Sequence, residues 1–221
     1  MQLYLKSLQI MKNIFFSFNL LFISFIGIAQ SYNHSEIGIE IQAASFSTHG
    51  GTVGGAVKYA YVLGDDFAFG PSVRMQYIWS KNTYTGFKGN RFVWGGGAFA
   101  HYRFLEWFFI GAEAEYLKNP YYFYTTSYEE KPWKMTAFVG GGISKAWGRF
   151  RLNAAIYYDL VDGLRPINTP SQSPLRGDYF LKISNPQNPN YGKMIPLIYR
   201  LAFFINLSDP NKSSKVSDFD Y

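Results

Sequence analysis

From residue 36 onward the chain alternates apolar and polar side chains with a period of two, in segment after segment. In residues 67–80 one parity carries Phe67, Phe69, Val73, Met75, Tyr77 and Trp79, and the other Ala68, Gly70, Ser72, Arg74 and Gln76. Successive side chains of a strand point to opposite faces, so the segment has one apolar and one polar face. Eight such segments are legible, roughly 36–46, 52–63, 67–80, 91–104, 108–118, 133–147, 150–160 and 195–207. Each is about the ~9–11 residues of a tilted membrane strand, or a little more. The pattern predicts an all-β fold, an eight-stranded antiparallel up-and-down transmembrane barrel with its apolar parity toward lipid.

The connectors alternate too. Residues 64–66, 105–107 and 148–149 read as tight hairpin turns, and 47–51, 81–90, 119–132 and 161–194 as longer links. Short periplasmic turns at one rim and longer extracellular loops at the other mark an outer-membrane barrel.

The first segment is of another kind. Lys12 precedes an apolar run that ends in Gly27, Ile28 and Ala29, small at the two positions a signal peptidase reads. Residues 1–29 are therefore expected to be a cleaved secretory signal, with Met11 a second candidate start. The barrel is assigned to 30–207 and a short polar periplasmic tail to 208–221.

Composition narrows the classes. Without cysteine there is no disulfide framework, thiolate metal site or lipid-modified N-terminal cysteine. Loss of Lys6 and Lys12 with the signal lowers the net charge from +6 to +4, and no basic stripe for nucleic acid stands out. Aromatic residues make up 20% of the chain, as membrane-interface belts require.

The polar parity holds the candidate site. Glu40, Lys58, Arg74, Arg103, Glu113, Glu115, Arg151, Asp159 and Arg200 all fall on it, and are expected to form a charge network in the lumen. Glu40, Lys58, Arg74, Glu113, Glu115 and Arg200 share mid-height, so acids and bases should pair there. Glu40 is expected to meet Lys58 and, across the closing strand pair, Arg200. Phe99, Phe138 and Phe204 fall on the inner parity, suited to filling a narrow lumen, and Lys145 on the outer one near a rim, where it can snorkel.

In strand count, turn alternation and inner charge, residues 36–207 resemble the small eight-stranded outer-membrane barrels of the OmpA and OmpX kind. The resemblance implies the outer membrane of a Gram-negative cell, contact with outer-membrane lipid and lipopolysaccharide, and insertion by the barrel assembly machinery. It rests on architecture and not on a sequence motif.

No motif supplies chemistry. The triplets Gly95–Gly97 and Gly140–Gly142 lie inside predicted strands and lack the strand–turn–helix context of a phosphate loop. His34, His49 and His101 are scattered, so no metal or cofactor is assigned. No outward His stands beside an outward Ser, which argues against an acyl-transfer enzyme. Tyr84 and Phe87 in one outer loop, and Tyr121, Tyr122, Phe123, Tyr124 and Tyr128 in another, are the candidate recognition residues for an unidentified extracellular partner. The long link 161–194, with Leu175 to Ile183 inside it, is a candidate for local order over the mouth.

The reading is a non-enzymatic barrel with a structural, adhesion or surface-recognition role and a lumen plugged by salt bridges. A narrow porin-like pore for small solutes is the alternative. A secreted lipocalin-like ligand binder, with the apolar parity inward, is the third.

Overall fold

The computed structural model describes residues 33–208 apart from 48–49, 65, 82–87, 106, 119–132 and 167–171. The signal reading, the recognition aromatics from Tyr84 to Tyr128, and the tail beyond 208 lie outside the described residues.

Eight long strands close into one antiparallel barrel: β1 (His34–Ser47), β2 (Gly50–Leu63), β3 (Phe67–Lys81), β4 (Lys88–Phe104), β5 (Phe108–Lys118), β6 (Trp133–Trp147), β7 (Phe150–Asp159) and β10 (Leu197–Asn206). Between β7 and β10 lie a short helix α1 (Leu160–Gly163), a 3₁₀ turn (Arg176–Asp178) and a small hairpin of β8 (Leu181–Lys182) and β9 (Met194–Ile195). Each long strand pairs with its sequence neighbour, and β10 returns to β1 from Glu36 opposite Asn206 to Ile41 opposite Leu201, which closes the sheet. Among the described residues no helix is long and apolar enough to cross a membrane.

Two of the tight turns begin with glycine in the left-handed region, Gly64 at φ 60° and Gly148 at φ 58°. Leu105 adopts the same conformation at φ 52° in the third, where a side chain is strained.

Several boundaries differ from the sequence reading by one to three residues, β4 starting at Lys88 rather than 91 among them, and three of the differences have a local reason. Strands β1 and β2 pair past a register shift between Ala43 and Ser45 as far as Ser47 opposite Gly50. The link expected at 47–51 is therefore only residues 48–49, a short connection at the long-loop end. Strand β7 stops at Asp159 because its carboxylate turns back to accept the Val161 backbone N–H at 2.9 Å, capping α1. The last strand begins at Leu197, since Ile195 pairs with Leu181 and Pro196 has no N–H to give.

The wall is polarised as the alternation predicts. Val57, Val73, Ile39, Met75, Ile110 and Ile156 face outward and are exposed, while Glu40, Lys58, Arg74, Glu113 and Arg200 are buried inside. The inward-apolar arrangement of a lipocalin-like binder is not the one this chain adopts.

Candidate functional site

The interior is stacked in layers. At mid-height, strands β1, β2, β3, β5 and β10 each aim one or two charged side chains at the axis, because all sit on the inner parity at similar height. Lys58 Nζ lies 2.7 Å from both Glu40 and Glu113. Arg74 donates to Glu40 at 2.6 Å, to Gln42 at 2.7 Å and to both oxygens of Glu115 at 2.9 Å. Arg200 donates to Glu113 and lies 3.6 Å from Glu40 and 3.4 Å from Glu115. Three carboxylates thus face three bases, and the layer balances its own charge. His101 adds a polar cap, its Nε2 lying 3.1 Å from Glu113 and 3.0 Å from the Tyr157 hydroxyl.

Aromatic rings close this layer from above and below. Toward the tight turns, Phe99 packs 6.3 Å from Phe204 and carries Lys58 Nζ over its face at 5.1 Å. Toward the long loops, the Arg200 guanidinium stacks over Phe138 at 4.6 Å and Tyr157 at 5.4 Å. The inner phenylalanines therefore sandwich the charges. Two glycines make room for them: a Cβ on Gly38 would come within 2.5 Å of the Phe204 ring, and one on Gly111 within 2.5 Å of His101.

Not every member of the sequence-predicted network joins this layer. Arg103 and Arg151 lie nearer the tight turns, around a carboxylate the sequence reading did not single out, Glu36. Arg103 grips Glu36 at 2.5 Å, His34 lies 3.1 Å from it, and Arg151 approaches to 3.8 Å while donating to Ser144 at 3.1 Å. Glu36 shares parity with Glu40 and was legible on that ground. Asp159 lies at the opposite end, where it accepts from the Thr136 hydroxyl at 2.9 Å.

The long-loop end is filled from the connection between β7 and β10. Residues 172–180 turn into the barrel mouth, burying Ser173, Leu175, Asp178 and Tyr179. Leu175 enters an apolar cluster with Val93, Leu117, Phe138 and Ile198. The Tyr179 hydroxyl lies 3.1 Å from Asp159 and 2.9 Å from Asp162, donating its one proton to the pair. Burial, with those two carboxylates beside it, pushes its phenol far up and keeps it a donor. Asp162 also accepts the backbone N–H groups of Gln172 and Ser173, tying the segment to α1.

The outer wall carries belts. Near the tight turns, Tyr61 packs 5.8 Å from Phe69, Tyr102 stacks 6.4 Å from Phe104, and Lys145 reaches over the Trp107 ring at 3.4 Å. Near the long loops, Trp133 lies 4.9 Å from Trp94 and 5.5 Å from Tyr116. Between the belts the outward residues are largely aliphatic or small, such as Val57, Val73, Ala98 and Ala112.

The two described histidines face inward, and among the described residues no group of three His, Asp or Glu is placed to hold a metal ion. No protein-family model and no curated protein matches the chain. Among solved structures it is similar to the Yersinia pestis outer membrane protein Ail in a phospholipid bilayer nanodisc, at 14% identity and a TM-score of 0.41, over 79% of this chain and 99% of that one.

Proposed function

We propose that the chain is an integral barrel of a Gram-negative outer membrane, non-enzymatic, with a structural, adhesion or surface-recognition role. The carrying observation is the wall: an aliphatic band between two aromatic belts, wrapped around an interior of buried, paired charge. In water such a surface costs free energy at every exposed apolar side chain; in a bilayer it is the matched surface, with rings at the headgroups. Closure of the sheet gives each long strand two hydrogen-bonded neighbours, so the ladder is met within the wall over most of its height, as a hydrocarbon solvent demands.

The lumen is read as plugged. An eight-stranded barrel is just wide enough for side chains to fill, and the buried inward side chains from Arg103 at one end to Tyr179 at the other support that reading. Recognition is then left to the extracellular loops, to which the sequence reading assigns the candidate aromatic residues. Partners follow from the same setting: outer-membrane lipid and lipopolysaccharide around the wall, and the barrel assembly machinery for insertion.

The test is electrophoretic mobility of detergent-extracted membranes, unboiled against boiled. A heat-dependent shift in the outer-membrane fraction is expected, and soluble protein without a shift would overturn the reading. Planar-bilayer recording addresses the lumen separately, since a steady defined conductance is incompatible with the plug.

A further inference from the structure

The barrel is not zipped along its full height. Strand β10 pairs with β1 only from Asn206 opposite Glu36 to Leu201 opposite Ile41, although it pairs with β7 all the way to Leu197. Beyond Ile41, β1 passes through its register shift between Ala43 and Ser45 and continues with β2 alone. A bulge bends and twists its strand, which draws β1 away from β10 there. The outer residues of β10 therefore face a notch.

Residues 172–181 sit in that notch as a wedge. The 3₁₀ turn packs against β1 and β2, and the Phe180 N–H donates to the Leu197 carbonyl at 3.3 Å. Pro196 gives its carbonyl to β7, through the Asp159 N–H, so the next carbonyl along β10, that of Leu197, points the other way, toward the notch. Side chains alternate across the wedge: Tyr179 points inside, and Phe180 lies outside against the ring of Tyr199 at 5.8 Å.

The polar contact holding the wedge to the wall at Asp178 is imperfect. Its Oδ1 accepts from Gln76 Nε2 of β3 at 2.6 Å, while the fully buried Oδ2 has no hydrogen-bond partner. Thr52 of β2 lies alongside, with its hydroxyl within reach of the carboxyl. The nearby cations are already engaged, Arg74 of β3 by Glu40 and Glu115, and Arg200 of β10 by Glu113. From β1 the wall presents Gln42, whose Oε1 is taken by Arg74 and whose Nε2 makes no hydrogen bond to Asp178, and, deeper, the acidic Glu40. Tyr199 of β10 lies near as a neutral phenol, and Arg176 shares the turn. Asp159 of β7 and Asp162 of α1 add only negative charge around Tyr179.

We propose that residues 172–181 form a releasable wedge in the outer half of the β1–β10 seam, and that ionisation of Asp178 loosens it. The protonated carboxyl fits the site: it gains a proton to give and loses a buried charge that Arg74 and Arg200, each shared with other carboxylates, offset only in part. Released, the wedge opens both the mouth and the side of the barrel down to the Arg200 layer. Burial holds the Asp178 carboxyl up at about 6, against 3.8 for an exposed aspartate. The closed form thus binds the proton more tightly; closure is fully supported below about pH 4 and weakens as pH rises through 6. The difference corresponds to roughly a hundredfold change in the ratio of closed to open wedge.

Amide hydrogen exchange of the full chain in a bilayer nanodisc reads that ratio directly. Exchange rates of peptides spanning 172–181, corrected for intrinsic pH dependence, should show protection falling roughly a hundredfold between pH 4 and pH 7, while peptides from β3 to β6 stay level. Asp178→Asn should flatten the wedge profile, and Gln76→Leu, which removes a donor to the carboxylate, should move the midpoint upward. Level protection in the wild-type wedge, or a pH response that survives in Asp178→Asn, overturns the proposal. Unchanged protection of the barrel peptides shows that the barrel itself is intact, so failure of the wedge is distinguishable from failure of the membrane assignment.

Discussion

Glu40 shows most clearly how the interior depends on single side chains. It faces Lys58 at 2.7 Å, Arg74 at 2.6 Å and Arg200 at 3.6 Å, and none of the three has water to turn to. Taking charges out of water is costly whether or not they pair, so the network is weak evidence for stability. Breaking it is another matter. Glu40→Ala leaves three bases facing two carboxylates and is expected to cost about 3–5 kcal/mol, read as a lower guanidine midpoint for the barrel refolded in lipid vesicles. Packing is just as tight one layer down. A Gly38→Val side chain enters the space of the Phe204 ring, and overpacking of this kind costs roughly 1–3 kcal/mol. Adding Phe204→Leu to Gly38→Val should recover part of that loss in the same unfolding assay; equal losses would mean that the ring is not the obstacle. The inner parity of these residues was legible, because a period of two leaves no choice of face once the strand is set. Which charges touch was only partly so. Lys58 meets Glu113 across 55 positions of sequence, and such cross-barrel partners depend on the stagger of the closed sheet.

At the level of elements, the long strands and the wedge were legible to different degrees. Strands announce themselves by alternation, and the turns by glycine at Gly64 and Gly148. The wedge has no period. Its order comes from Leu175, Asp178 and Tyr179 each finding a different layer of the wall, which no local pattern records. The bulge that makes room for it, between Ala43 and Ser45, carries no sequence signal either. Expectation and structure meet at the stretch from Leu175 to Ile183, where order over the mouth was anticipated without its inward depth. The energetics of the two kinds of element should separate. Leu175 is fully buried, and Leu175→Ala removes contacts worth roughly 2–5 kcal/mol at a core position. That loss is expected to fall on the wedge alone. Limited trypsin digestion should cut at Arg176 far faster than in wild type, while the heat-dependent gel shift of the barrel is unchanged. A barrel that melts together with its wedge would show the two to be one cooperative unit.

For the whole molecule, the outward face is the decisive property, and its meaning depends on the solvent around it. Val73 is 59% exposed in the middle of β3, opposite Val57 on one side and Gly96 on the other. If water lies there, an arginine in its place is a surface substitution and shifts stability by no more than about 0.5 kcal/mol. If the hydrocarbon core of a bilayer lies there, Val73→Arg costs about 2–4 kcal/mol, and the same change at a rim position such as Tyr61 costs about 0–1. Folding equilibria of the two variants into lipid vesicles therefore measure depth as well as environment. A large loss at Val73 with a small one at Tyr61 is expected from the belts of Tyr61 and Phe69 at one end and Trp94, Tyr116 and Trp133 at the other. Equal, small losses at both positions would place the wall in water. The exposed outward residues between the belts, Val57, Val73, Met75, Ile110 and Ile156 among them, would then have to be covered by protein, because an apolar patch of that extent is not left to water.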